Sequence, residues 1–253
     1  MTQAQYDLPW LNGVNRALIG AANGLSPYYK AHPYRGGLWL SEVDMRVAIS
    51  HAHRFLYNRL PKNANSTVTA LLHVGIGGSG TVDASKHGFA RPWKLSRAEV
   101  AALEGYYTFC IVRDPYSRTL SAYLDKIVRK RRQAKRPLRW LKARFGTDAP
   151  TFEQFCIYLD EVGLMDDNHW APQLDGLVLR PEEFDHIGRF ERLGDEIATI
   201  TTRIFGAPVT TVKRRGPPST GAAEAREAHY TETATGIVKR LYARDFEAFG
   251  YEP

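Results

Sequence analysis

Hydrophobic positions first recur at helical spacing near the amino terminus, where Leu8, Trp10, Leu11, Val14, Leu18 and Ile19 form a packing face. Arg54–Leu60 instead mixes apolar and polar side chains in rough alternation, the pattern of a strand, and Pro61 stops it. Ser66 and Thr67 then precede Val68–Leu72, which starts a helix. Gly75–Gly80 is a glycine-rich loop without a lysine. Ser96 with Glu99 has the spacing of a capping box, opening a helix through about Glu104. Tyr106–Val112, aromatic and β-branched, predicts a buried strand, and Tyr116 to about Arg132 returns to helical spacing. Thr151 with Gln154 marks another helix start, running to about Val162. Phe184–Phe190 predicts a strand, followed by a helix from Gly194 to Phe205 with Gly206 at its end. A final amphipathic helix covers Thr233–Phe249.

Strands alternating with helices predict an α/β fold with a central parallel sheet flanked by helices. Ligands would then bind at the carboxyl ends of the strands. No internal repeat or low-complexity linker divides the 253 residues, so one domain over 1–253 is expected, with 1–50 as a helical segment packed on it.

Composition adds little to this picture, and charge adds more. A hydrophobic share of 43% and a charged share of 24% are those of an ordinary globular protein, which excludes a disordered or fibrous chain. No stretch approaches the roughly 18 apolar residues of a membrane span, and the first residues lack the basic start and apolar run of a secretory signal. Cys110 and Cys156 read as buried thiols, which fits a reducing cytoplasm. The net charge of +7 is local: Lys126–Phe145 holds ten basic residues and no acidic one. That strip is either a contact for an anionic partner or a solvated helix face.

Two constellations carry chemistry. In Leu60–Thr67, a strand leads through a tight loop into a helix, whose N-terminus offers unpaired N–H groups and the positive end of a dipole. Lys62 adds a charge and Ser66 and Thr67 add hydroxyls, so the loop suits a phosphate or sulfate; the bland reading is a capped turn with a surface lysine. The Gly-x4-Gly-Lys-[Ser/Thr] pattern of ATP and GTP loops is missing. In Arg113–Ser121, an arginine ends a strand and a serine follows about two helical turns later, able to grip one phosphate from two sides. The alternative pairs Arg113 with Asp114 and leaves Ser121 to its own helix backbone.

With these residues the chain resembles the carbohydrate sulfotransferases, especially those acting on chondroitin, dermatan and related glycans. In that family a Pro-Lys-x-x-x-[Ser/Thr]-[Ser/Thr] loop cradles the 5′-phosphosulfate of PAPS (3′-phosphoadenosine 5′-phosphosulfate). An Arg-[Asp/Glu/Asn]-Pro-[Phe/Tyr]-x-Arg-x-x-Ser-Ala-Tyr segment holds its 3′-phosphate. Pro61–Thr67 and Arg113–Tyr123, continuing into Asp125 and Lys126, match these patterns. Similar segments follow in order at Asn168–Gln173, Phe184–Glu191, Leu241–Tyr242, Asp245–Phe246 and Phe249–Tyr251.

The resemblance implies a P-loop-like sulfotransferase architecture and transfer from PAPS to a hydroxyl of a carbohydrate or glycolipid, anionic acceptors included, with no metal required. It implies donor binding by Lys62, Asn63, Ala64, Asn65, Ser66, Thr67, Arg113 and Ser121. A basic Gly/Pro-rich loop, with Lys213, Arg214, Arg215 and Gly216, would close over the 3′-phosphate. Lys62 would also act on the bridging oxygen. His169 is the first candidate for the general base, oriented by Asp166 or Asp167, with Trp170 stacking on a sugar face; His87 is its competitor.

This chain departs from the family at Ala64-Asn65, where many members carry a glycine or another small residue. It also lacks the cysteines after the His-Trp pair and the membrane anchor of Golgi members, which points to a cytoplasmic, bacterial relative. His51 and His53 are spaced for alternate strand positions, but further metal ligands are missing. The rival readings are a kinase, which would need Mg²⁺ and a Walker lysine, and a nucleic-acid-binding protein, for which no motif accompanies the basic strip.

Overall fold

The computed structural model describes residues 9–79, 88–209, 221–222 and 225–253. Helices α1 (Pro9–Leu25), α2 (Pro27–Ala31) and α3 (Leu40–Asp44) precede strands β1 (Val47–Ser50) and β2 (Phe55–Asn58). Then come α4 (Asn65–Gly75), α5 (Arg97–Ala101), β3 (Tyr107–Val112), α6 (Pro115–Ala122), α7 (Lys135–Phe145) and α8 (Phe152–Tyr158). The chain continues through β4 (His186–Arg189), α9 (Leu193–Phe205), α10 (Arg226–His229), α11 (Glu232–Leu241) and α12 (Ala243–Phe249). No helix among the described residues is long and apolar enough to cross a membrane.

The chain divides into two compact units. The unit made of Asn15–Val112 and Gly176–Pro217 holds a mixed four-stranded sheet in the order β1-β2-β3-β4. β2, β3 and β4 run parallel, as expected, but β1 is antiparallel to β2, which corrects the all-parallel sheet. The reason is the turn at residues 51–54: a parallel partner needs a crossover of a dozen or more residues, and this turn allows only a hairpin. His51 and His53 lie in that turn, not on a strand.

The sheet is buried on both sides, so its strands do not keep a polar face. Ala48, Phe55, Tyr57, Phe109 and Ile111 pack with Val68 and Leu72 of α4 and Ile200 of α9, while Leu56, Asn58, Cys110 and Val112 are buried as well. The Tyr57 and Phe109 rings stack at 4.7 Å between neighbouring strands. Asn58 is wholly buried and holds a distant segment: its amide donates to the Gly176 carbonyl and accepts from Val178 N–H.

The described residues of the second unit, which is made of Met1–Val14, Arg113–Asp175 and Pro218–Pro253, are organised as helices without a strand. Its core joins Tyr116 and Leu120 of α6, Leu141 of α7, Phe152 and Phe155 of α8, Trp170, and Val238 and Phe246 from α11 and α12. The capping box at Thr151 and Gln154 forms with both of its bonds, as does the one at Ser96 and Glu99 in the first unit. The helix expected to reach Arg132 ends at Ala122 and passes into a π-helical turn over Tyr123–Val128. The last helix is broken at Tyr242, whose hydroxyl is fixed on the Trp170 carbonyl at 2.5 Å.

Candidate functional site

The parallel pairing of β2 and β3 brings their carboxyl ends to the same edge of the sheet, with Asn58 opposite Cys110. β2 leads there into the Lys62–Thr67 loop. Asn63 is wholly buried, and its side-chain amide donates to the Ile111 carbonyl at 2.8 Å, tying the loop to the end of β3. The loop backbone is bent by two left-handed residues that are not glycine, Lys62 (φ 71°) and Ala64 (φ 57°).

Ala64 is the N-cap of α4, and its methyl side chain makes no capping bond. The first helical bond runs from Val68 N–H to the Ala64 carbonyl, so the N–H groups of Asn65, Ser66 and Thr67 lie ahead of the helical ladder. A left-handed residue followed by a helical one turns successive N–H groups into a shared concavity, which favours anions. Lys62 is half-buried on this loop and Ser66 is exposed. Asn65 is held from within the helix, since the Thr69 hydroxyl donates to its carbonyl at 2.7 Å.

β3 ends at Val112, and the next residue, Arg113, begins the helical unit, where it is buried. Its backbone N–H donates to Gln173 Oε1 at 3.0 Å, and its carbonyl accepts from Gln173 Nε2 at 2.9 Å. Asp114 caps α6, accepting from Tyr116 N–H and Ser117 N–H, with Pro115 in the first helical position. Its carboxylate also lies 3.9 Å from Arg226 Nη1. Ser121, buried, stands in the last turn of α6. Arg118, also buried, donates to the Ala171 and Asn168 carbonyls at 2.8 and 3.0 Å and thereby shapes the turn that carries His169.

Of the two candidate orienting groups for His169, the geometry selects Asp167. Its Oδ1 lies 2.5 Å from His169 Nδ1 and accepts the His169 backbone N–H at 2.9 Å. With Nδ1–H held on a carboxylate, the basic lone pair falls on Nε2. Asp166 is engaged elsewhere, by the Tyr158 hydroxyl and by Arg136 at 2.7 Å, and burial raises its pKa. The expected sugar-stacking role of Trp170 does not hold. Its ring is buried, edge-on to Phe155, with Nε1–H on the Gly163 carbonyl. His87, Lys213, Arg214, Arg215 and Gly216 lie outside the described residues.

A model of the sulfotransferase family matches residues 45–252. The chain belongs to the sulfotransferase family. Within that match fall the Lys62–Thr67 and Arg113–Ser121 segments, the His169 turn and the carboxy-terminal helices. Among similar proteins, carbohydrate sulfotransferase 14 of Danio rerio is 28% identical over 227 residues, covering 81% of this chain and 62% of that protein. Carbohydrate sulfotransferase 10 of Xenopus laevis is 26% identical over 249 residues, covering 82% and 67%. The human carbohydrate sulfotransferase 10 is likewise 26% identical, with the same coverage. The chain thus spans less than two thirds of the first of these relatives and about two thirds of the others. No solved structure gives a significant match.

Several residues of this family member were not assigned a role from sequence. Asn58 holds the Gly176–Val178 segment, Gln173 and Asp245 brace Arg113, and Arg118 braces the His169 turn, while Asn63, expected as a donor ligand, has its side-chain amide on the Ile111 carbonyl. Gln173 and Asp245 stood inside matched segments, but their bonds cross 60 and 72 residues of chain.

Proposed function

We propose that this chain transfers the sulfuryl group of PAPS to a hydroxyl of a carbohydrate or glycoconjugate, releasing PAP. The observation that carries the reading is the Lys62–Thr67 loop: a left-handed Ala64, the N–H groups of the first turn of α4, and Lys62, all at the carboxyl end of β2. That donor set fits the 5′-phosphosulfate, and the loop's place between strand and helix supports a P-loop-like architecture. Family membership and the names of the similar proteins support the carbohydrate acceptor.

PAPS supplies a sulfuryl group already joined to a phosphate leaving group, so the protein has to align, neutralise and deprotonate. Lys62 neutralises charge on the bridging oxygen. Ser66, Thr67 and the N–H groups of Asn65–Thr67 hold the 5′ end. Arg113 and Ser121 hold the 3′-phosphate, with Arg214 and Arg215 as further ligands. His169 Nε2 takes the acceptor's proton while Asp167 keeps the ring oriented, and His87 remains the rival base. We place the protein in a reducing, cytoplasmic compartment, in keeping with its buried free thiols Cys110 and Cys156.

Calorimetry with PAP and with ATP–Mg²⁺ tests the reading. PAP should bind without divalent metal. Lys62→Ala should lower turnover about 10²–10³-fold with little change in PAP affinity. Arg113→Ala should weaken PAP about 10- to 100-fold, the loss of charge-assisted hydrogen bonds. ATP–Mg²⁺ bound while PAP is ignored would identify a kinase instead.

A further inference from the structure

Arg113 stands where β3 leaves the sheet. Pairing of β3 with β4 ends at Val112 opposite Arg189, so the next backbone groups need other partners. Gln173 provides them. Its side-chain amide both donates to and accepts from the Arg113 backbone, at 2.9 and 3.0 Å, as a neighbouring strand would.

Gln173 is fixed in turn. Its own N–H donates to Asp245 Oδ2 at 2.7 Å, and Leu174 N–H donates to Asp245 Oδ1 at 3.1 Å. Gln173 and Asp245 are 0% exposed, so water offers the relay no substitute partner. A carboxylate so placed is costly, and burial pushes the Asp245 pKa up to about 6, against the two backbone bonds and Arg118, which lower it. The two backbone donors offset that cost, and an apolar side chain would leave both of them unpaired. The carboxylate's two oxygens do something an apolar group cannot: they fix the angle of the 173–174 backbone, hence the Gln173 amide, hence the Arg113 Cα–Cβ direction.

We propose that Asp245, acting through Gln173, is a positioning residue for Arg113 and so sets affinity for the donor's 3′-phosphate. The proposal rests on the donor reading above, and its test separates the two. PAP affinity is measured by calorimetry for the parent, Asp245→Asn, Arg113→Ala and the double variant. Asp245→Asn should raise the PAP Kd about tenfold, the effect of one or two misdirected hydrogen bonds. In the Arg113→Ala background the same change should alter Kd by less than about twofold, because the relay then has nothing to aim.

In steady-state kinetics the donor KM should rise while kcat at saturating donor stays within about threefold. Gln173→Met keeps length and apolar bulk but removes the amide, and should reproduce the Kd change. It also carries the test if Asp245→Asn fails to fold, each variant being checked by its thermal transition.

Equal losses from Asp245→Asn with and without Arg113 would overturn the relay and leave the donor reading intact. So would an unchanged Kd in both single variants, or failure of both to fold. A parent chain that ignores PAP would overturn the donor reading, and the relay with it.

Discussion

Ala64 adopts φ 57° and ψ 17°, a conformation in which its Cβ crowds the backbone. An alanine there costs on the order of 1 kcal/mol relative to glycine, partly offset by the greater chain entropy that glycine loses on folding. Lys62, two residues earlier, carries the same strain at φ 71°. Two such residues in one short loop persist because Asn63 between them is clamped to Ile111. Ala64→Gly should therefore be neutral or stabilising by up to about 1 kcal/mol in denaturant unfolding, with the anion-binding backbone preserved. Ala64→Val should be clearly destabilising, since a β-branched residue rarely takes positive φ. A large loss of stability from the glycine would show that the alanine methyl packs usefully and that its contacts outweigh the strain.

The elements legible in the sequence are those whose signals are local. Both capping boxes formed because their partners lie three residues apart, and α4, α9, β2, β3 and β4 fall close to their expected spans. What the pattern missed depends on distant partners. The break at Tyr242 accompanies a bond to Trp170, and Trp170 is buried in a core shared with helices that follow it by dozens of residues. The candidate site divides the same way: Lys62 and Arg113 were visible as motif residues, while Asp167's role needed the turn geometry. That turn, Asn168–Ala171, is held by Arg118 of α6, so His169 is presented by a neighbouring helix rather than by its own sequence. His169→Ala should lower kcat about 10²–10⁴-fold, the usual worth of a general base, with PAP affinity retained. Asp167→Asn should give a smaller loss, because the ring remains but its orientation and tautomer are no longer held. Near-parental turnover by His169→Ala together with an inactive His87→Ala would assign the base to His87.

Across the whole molecule the net charge of +7 traces to the strip from Lys126 to Phe145, and the structure sorts that strip. Asp125 gathers Lys126 at 3.0 Å, Arg129 at 3.7 Å and Arg131 at 4.0 Å. Arg136, Lys142 and Arg144 pair with Asp166, Asp148 and Glu161. Lys130, Arg132, Lys135 and Arg139 are exposed and have no ion pair among the described residues. The Lys142–Asp148 and Arg144–Glu161 pairs are exposed on both sides and contribute about 1 kcal/mol at most, whereas Asp125 and Asp166 are the more buried partners of theirs. The four remaining charges are the ones an anionic acceptor would meet. Replacing all four with Ser should raise the KM for an anionic glycan such as chondroitin several-fold and flatten its dependence on salt, because screening then has fewer contacts to weaken. Donor constants should stay at parental values, since neither donor motif includes these residues. If acceptor KM is unchanged in the quadruple variant throughout a salt series, the four side chains are a solvated face and acceptor charge is read elsewhere.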